Sequence, residues 1–235
     1  MPSRGVEMSA RITLIHAVAM AIPPVLEAFR EDWPEAEVAN LLDDGLTGAL
    51  AREGGLTPPI VQRIRDLATY AARAGTDGIL FTCSAFTPAM DVARKDVAIP
   101  LLKPDEAMIA AALDAGRRIG IVATFPATLA VAEGQLRAAA AARGVDVEMA
   151  AVAVAEAFTA MTGGDTSAHD RLVAGAAAAL APRVDVICLA QFSMARARAD
   201  VQRRVAIPVL TSPAAAVTRL RALLGDGNVR RFSSV

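Results

Sequence analysis

An internal duplication constrains this chain more than any local propensity does. The segment 77-DGILFTCSAF, with VAIPLLKPDEA downstream, aligns with 185-DVICLAQFSM and VAIPVLTSPAA. The offset is 108 (77 to 185), and it holds without a gap through the shared Val-Ala-Ile-Pro at 97–100 and 205–208. The beginnings also correspond: 11-RITLIHAV matches 118-RIGIVATF at an offset of 107 (11 to 118). A repeat this long implies two similar halves rather than a solenoid of short units.

Within each half, apolar β-branched runs alternate with alanine-rich helical stretches. Strands are expected at 12–18, 36–42, 77–83, 119–124, 146–152 and 185–190, with short edge strands around Leu101 and Val209. Helices are expected near 58–74, 104–115, 126–143, 168–181 and 213–224. Gly75, Gly116 and Gly144 each follow a helical run, where a left-handed cap is expected. Continuous apolar strands separated by helices mean parallel sheets covered on both faces. The fold class is therefore α/β, with two similar Rossmann-like (flavodoxin-like) parallel-sheet halves. The first half is read as residues 1–103 plus 209–235 and the second as 104–208. In open parallel sheets, ligands sit beyond the carboxyl ends of the strands. A pseudo-twofold axis relating the halves, with the active site between them, is the expectation.

Composition narrows the function classes. With 235 residues, 54% hydrophobic and 21% charged, the chain reads as a globular protein. A formal net charge of −1 gives no electrostatic reason to expect nucleic acid or an anionic membrane as partner. The two cysteines, Cys83 and Cys188, cannot form a disulfide scaffold and read as reduced thiols in a cytoplasm. The start, Met1 to Ala10, lacks the apolar core of a signal peptide, and apolar runs such as 173–181 are too short to span a bilayer. There is no glycine-rich dinucleotide fingerprint, phosphate loop or metal-ligand spacing, so no cofactor and no metal are expected.

The chemistry concentrates at strand ends. Cys83 closes an expected strand immediately before Ser84, as a nucleophile would; a small buried core residue is the bland alternative. Its counterpart under the duplication is Gln191, not a second thiol. Cys188 matches Leu80 in mid-strand and reads as core. Ser84 and Ala85 would offer backbone N–H groups at a helix start, or Ser84 would simply cap it. Their counterparts are Phe192 and Ser193, and a bulky Phe192 argues for a tighter or more apolar second face. Thr124 and Thr128 flank Phe125-Pro126-Ala127 at another strand-to-helix turn. Thr124 either caps that helix or contacts an anionic substrate group.

Taken together, these features resemble the aspartate/glutamate/hydantoin racemase superfamily. The resemblance covers nearly the whole chain and rests on the two-half pattern, the Thr82-Cys83-Ser84 turn, 119-IGIVATFPAT-128 and 187-ICLAQFSM-194. It implies an active site between two subdomains and a reaction on a small carboxylate, such as an amino acid, without metal or pyridoxal phosphate. In members of the family two thiols work on opposite faces of the substrate. Cys83 matches the first-half thiol, and Gln191 stands where the second should be. The superfamily also includes single-thiol arylmalonate decarboxylases, whose thiol lies in the second half, and maleate isomerases.

The resemblance also bears on residues that the sequence alone leaves open. His16, at the end of the first strand, falls where the family places a polar active-site residue; a satisfied core histidine fits as well. His169 follows 163-GGDTSA-168 and is either an acid/base compensating for Gln191 or a solvent-facing first-turn residue. Asp44, in Asp43-Asp44-Gly45, would orient an amine or hydroxyl, or serve turn chemistry alone. Lys103 is either a surface charge or a side chain that reaches the cleft. The expected protein is a cytoplasmic racemase/isomerase-superfamily enzyme acting through one thiol. A one-thiol lyase or decarboxylase and a non-catalytic ligand-binding protein are the alternatives. Its partner is a small carboxylate, and homo-oligomerisation is left open.

Overall fold

The duplication seen in the sequence recurs as hydrogen-bond register. The structure, a computed structural model, describes residues 9–225. The start of the chain, read above as lacking a leader, lies mostly outside the described residues, as does 226–235 of the segment assigned to the first half.

Among the described residues, eight strands form two parallel sheets. The first holds β1 (Arg11–His16), β2 (Glu37–Leu42), β3 (Gly78–Phe81) and β4 (Leu101–Leu102), in the order β2-β1-β3-β4. The second holds β5 (Arg118–Ala123), β6 (Glu148–Ala153), β7 (Val186–Leu189) and β8 (Val209–Thr211), in the order β6-β5-β7-β8. This is one topology used twice, the doubly wound arrangement with a switch beside the first strand of each half. Ile12 pairs with Gly78 as Ile119 pairs with Val186, so both sequence offsets are realised in the ladder.

The shared Val-Ala-Ile-Pro has a definite job. Its proline carbonyl receives the amide of Ile79 in one sheet (2.8 Å) and of Ile187 in the other (2.9 Å), which starts the edge strand. Proline costs nothing at a position where only the carbonyl is used. A second repeated device precedes each third strand. Asp77 accepts from the Arg11 backbone N–H at 2.8 Å, and Asp185 accepts from that of Arg118 at 2.9 Å. The Arg118 side chain and two backbone N–H groups draw the Asp185 carboxyl down to about 2.

Among the described residues, ten α-helices connect the strands: α1 (Ile22–Asp32), α2 (Gly45–Glu53), α3 (Pro58–Arg73), α4 (Thr87–Ala93), α5 (Glu106–Ala115), α6 (Pro126–Ala142), α7 (Ala155–Thr162), α8 (Thr166–Leu180), α9 (Arg198–Gln202) and α10 (Ser212–Leu224). They cover both faces of the second sheet, and for that reason its strands read as unbroken apolar runs. In β7 and just past its end, Val186, Cys188 and Ala190 pack with Ile119 and Ile121 of β5 and with α5 and α6. Ile187 and Leu189 pack with α8 on the other face. Cys188 is thus a core residue, 4% exposed.

The chain divides into two compact units, residues 9–104 with 216–225, and 105–215. The return therefore falls later than 209: β8 is hydrogen-bonded to β7, and the start of α10 stays with the second unit.

The structure corrects the sequence reading at two further points. Gly75 and Gly144 have the expected left-handed φ of 82° and 65°, but Gly116 is extended, at φ 176°. Glycine is required there by crowding, because a Cβ would lie 2.4 Å from the Asp185 Cβ. Helices α1, α2, α7 and α9 were not expected, whereas α4 follows the helix start read at Ser84 and Ala85. Pro23 and Pro24 at the start of α1 and Gly45 at the start of α2 mimic loop composition, yet proline is well accommodated in a helix's first turn, while α7 and α9 are short, at 8 and 5 residues.

Candidate active site

The strand ends of each unit carry the polar side chains. In the first unit, β3 runs out at Phe81 and is followed by buried Thr82 and half-buried Cys83. Cys83 has extended backbone (φ −128°, ψ 110°) and stands before the single turn Ser84–Phe86 that leads into α4. Ser84 begins this turn rather than capping it, and its carbonyl receives the Thr87 hydroxyl at 2.8 Å. Ala85 is exposed beside it.

His16 closes β1 next to this turn and is wholly buried. Its Nδ1 lies 2.9 Å from the Thr82 hydroxyl and its Nε2 lies 3.0 Å from the Asn40 side-chain oxygen on β2. With an amide oxygen facing Nε2, that nitrogen carries the proton, and Nδ1 accepts from Thr82. Burial lowers the His16 pKa below 6.5, opposed by the Asn40 hydrogen bond. A neutral imidazole therefore ties three neighbouring strand ends together, one residue from the thiol. This is the satisfied-histidine arrangement, placed behind Cys83 by way of Thr82.

Asp44 is exposed at the start of α2 and makes no side-chain cap. Its neighbour Asp43 pairs with Arg63. Lys103 pairs with Asp91 at 2.8 Å.

In the second unit, β7 leads through Ala190 to Gln191, which has the same extended backbone (φ −144°, ψ 142°) and stands before the same kind of turn. The Gln191 Oε1 accepts from the Thr124 backbone N–H at 2.7 Å and from the Thr124 hydroxyl at 2.9 Å. A backbone N–H can only donate, so the orientation of the Gln191 amide is fixed by chemistry: oxygen toward Thr124, NH₂ as the end it offers elsewhere. Thr124 therefore does not cap α6; Phe125 occupies the N-cap position without a side-chain bond. Thr128 is half-buried in the first turn of that helix, and Ser193 is half-buried in the turn after Gln191. Phe192 is 7% exposed and belongs to the interior, not to an open face beside Gln191.

The structure brings together Cys83's neighbour Thr82 with His16, and Gln191 with Thr124. His169 follows a different pattern. It lies in the first turn of α8, capped by Asp165, and is 1% exposed, so the solvent-facing reading is overturned. Its Nδ1 bonds Asp170 at 2.8 Å, and Asp170 also receives Arg196 Nε at 2.9 Å.

Two features had no functional reading from sequence. Phe125 is 37% exposed, and its ring lies 4.1 Å, centroid to centroid, from that of Phe158 in α7. Their separation of 33 positions (125 to 158) hides the pairing, although each follows a strand end in the duplicated pattern. The second is Asp105, which accepts a 2.6 Å hydrogen bond from Ser212 and whose pKa burial pushes up to about 6. It lines a small cavity with Gln135 and Cys188, and the Gln135 Oε1 there is buried without a hydrogen-bond partner. Burial, with Asp105 adding, pushes the Cys188 thiol up to about 12.

Residues 47–220 match the Asp/Glu/hydantoin racemase family model. The chain belongs to that family. No curated protein matches the chain in sequence at a significant level. Among solved structures, it is similar to the allantoin racemase from Klebsiella pneumoniae (19% identity, TM-score 0.69, covering 97% of this chain and 96% of that one). It is also similar to the glutamate racemase RacE1 from Bacillus anthracis (12%, 0.65, 94% and 84%). A mutant of arylmalonate decarboxylase matches at 22% identity and TM-score 0.62, covering 92% and 94%. At these identities the likeness concerns the fold. Among the described residues no helix is long and apolar enough to cross a membrane.

Proposed function

We propose that this racemase-family protein is a cofactor-independent enzyme acting on a small carboxylate through a single thiol, Cys83, which delivers a proton to a carbanion next to the carboxylate. The observation that carries this reading is the inequality of two equivalent positions. The tip of β3 holds a half-buried thiol, and the tip of β7 holds a glutamine whose carbonyl is already bound to Thr124.

A thiol can exchange a proton near neutral pH, and a carboxamide cannot. Inversion of a stereocentre needs a donor opposite the base. One-sided protonation needs only one thiol and an environment that stabilises negative charge. The arrangement thus favours a lyase or decarboxylase outcome over two-base racemization. In this reading His16 is a positioning residue that holds Thr82, and the Gln191 NH₂ binds a substrate oxygen. Asp170 and Arg196 fix the turn after Gln191 against α8, with buried His169 as part of that strut.

The test is a panel of small acids, including substituted malonates and amino acids, incubated with the protein in D₂O and followed by mass and circular dichroism. The reading predicts deuterium at the α-carbon of one enantiomer, with loss of CO₂ or another leaving group. Deuterium washed into both enantiomers of an unchanged acid would show two-sided chemistry. Binding with no turnover of any acid would leave a ligand-binding protein.

A further inference from the structure

Asp105 is the N-cap residue of α5, and Ser212 is the first residue of α10. Each follows an edge strand, β4 or β8, at a place where the chain passes between units: it enters the second unit at Asp105 and leaves it after Ala215. The duplication makes the two passages equivalent, since Pro104-Asp105 aligns with Ser212-Pro213 at the offset of 108 (104 to 212).

An aspartate at an N-cap ordinarily bonds the first amides of its own helix. Asp105 makes no such bond; its carboxyl accepts the Ser212 hydroxyl at 2.6 Å instead. Ser212 is wholly buried, and its Oγ also lies 3.6 Å from the Met108 Sδ of α5. A hydroxyl has one proton to give, and a carboxyl oxygen is a better acceptor than a thioether, so the proton goes to Asp105. The two passages are thereby pinned to each other within the second unit.

The surroundings make this pin sensitive to charge. Among the described residues no second donor reaches the Asp105 carboxyl, and no lysine or arginine pairs with it. From α6, the Gln135 Oε1 brings another acceptor to the same cavity, buried and without a partner. From β7 comes the Cys188 thiol, a titratable group whose pKa Asp105 helps to raise. Glu106, next in the chain, is a like charge. Burial therefore outweighs the single bond from Ser212 and sets the Asp105 pKa at about 6. Drawn out into water, the same carboxyl would titrate near 3.8. Between those values the open form sheds a proton that the closed form keeps, so opening becomes easier as pH rises.

We propose that Asp105 and Ser212 form an acid-closed clasp: the neutral pair holds together the segments by which the chain enters and leaves the second unit, and ionisation of the carboxyl lets the first turns of α5 and α10 open together. The clasp is independent of the reaction at Cys83.

The test is hydrogen exchange of the full chain, followed by mass spectrometry at pH 4 and pH 7 and corrected for intrinsic exchange rates. Wild type should lose at least about tenfold in protection over residues 105–112 and 209–216 between pH 4 and pH 7, the equivalent of one pH unit of proton linkage. Helix α3 should change far less. Asp105→Asn keeps an acceptor oxygen but cannot ionise, so both segments should be equally protected at the two pH values. If Asp105→Asn does not fold, Ser212→Ala carries the test. Without the hydroxyl the ionised carboxyl has no donor, and the loss of protection between pH 4 and pH 7 should exceed that of wild type. Equal protection of wild type at both pH values, a loss shared equally by α3, or a loss confined to one of the two segments overturns the clasp. So does a folded Asp105→Asn that keeps the loss, or a Ser212→Ala loss no larger than that of wild type.

Discussion

Gln191 and Thr124 are joined by two hydrogen bonds to one oxygen: the Thr124 N–H at 2.7 Å and its hydroxyl at 2.9 Å both reach the Gln191 Oε1. The pair turns a residue with both donor and acceptor ends into an oriented donor. At the equivalent position in the first unit stands a thiol. The difference between the halves is therefore chemical rather than architectural.

Thr124→Val removes the hydroxyl and leaves the backbone bond. Held by one bond rather than two, the Gln191 amide keeps its orientation but is less firmly positioned, which should raise KM for a carboxylate several-fold with a smaller effect on kcat. The stability cost should be about 1 kcal/mol, the net worth of one such bond. Steady-state kinetics with a denaturant melt separates the two effects. Unchanged KM would show that the Gln191 NH₂ does not bind substrate.

The two thiols should differ in reactivity. Cys188 is 4% exposed, with its pKa pushed up to about 12, whereas Cys83 is half-buried at a strand end. Limited alkylation with iodoacetamide at pH 7.5, followed by peptide mapping, should label Cys83 first. Preferential labelling of Cys188 would reverse the roles assigned to them.

Two buried groups should leave opposite marks on stability against pH. His16 titrates below 6.5 in the folded protein, so acid protonates the unfolded chain first. Its contribution is present above pH 6.5 and is lost as pH falls toward the lowered folded value. Asp105 is shifted up to about 6, so its contribution is present below the ordinary carboxyl value near 3.8 and is lost as pH rises through 6. Asp105→Asn should therefore stabilise the protein at pH 8, on the order of 1 kcal/mol because the residue is not wholly shut off from water, and do so much less at pH 4. His16→Gln should flatten the decline as pH falls below 6.5. Thermal melts across pH 4 to 8 check both; a gain for Asp105→Asn that is larger at pH 4 would contradict the burial argument.

Gln191→Cys restores a thiol at the position equivalent to Cys83. An enzyme limited to one-sided protonation should gain measurable racemization of an acid carrying an α-proton, because the added thiol supplies the missing acid–base group. Chiral chromatography of the recovered acid measures it. Free racemization by wild type, unchanged by the substitution, would place the second acid elsewhere and end the one-thiol account.

Much of this was legible in the sequence, because a duplication fixes register as well as fold. The offsets of 107 and 108 reappear in the pairing of Ile12 with Gly78 and of Ile119 with Val186. The Val-Ala-Ile-Pro repeat marks the place where a proline carbonyl starts each edge strand. What sequence could not show was how side chains pair across strands. At the proline-led turn Thr124 reads equally as a helix cap or a substrate contact, but Gln191, 67 positions away, takes both its donors. His169 looked solvent-facing from its polar neighbours, yet packing and Asp170 hold it inside. Phe125 and Phe158 are unremarkable separately and meet only because β5 and β6 are neighbours.

The central claim is that Cys83 carries the proton. Its most direct test is deuterium incorporation at the α-carbon of the best acid from the panel, measured by mass spectrometry for wild type and for Cys83→Ser. Serine keeps the shape and a hydroxyl but does not ionise near neutral pH. The account predicts a rate at least about a hundredfold lower in Cys83→Ser, the usual size of an acid–base contribution, with Cys188→Ser close to wild type. Incorporation by Cys83→Ser at the wild-type rate would contradict it.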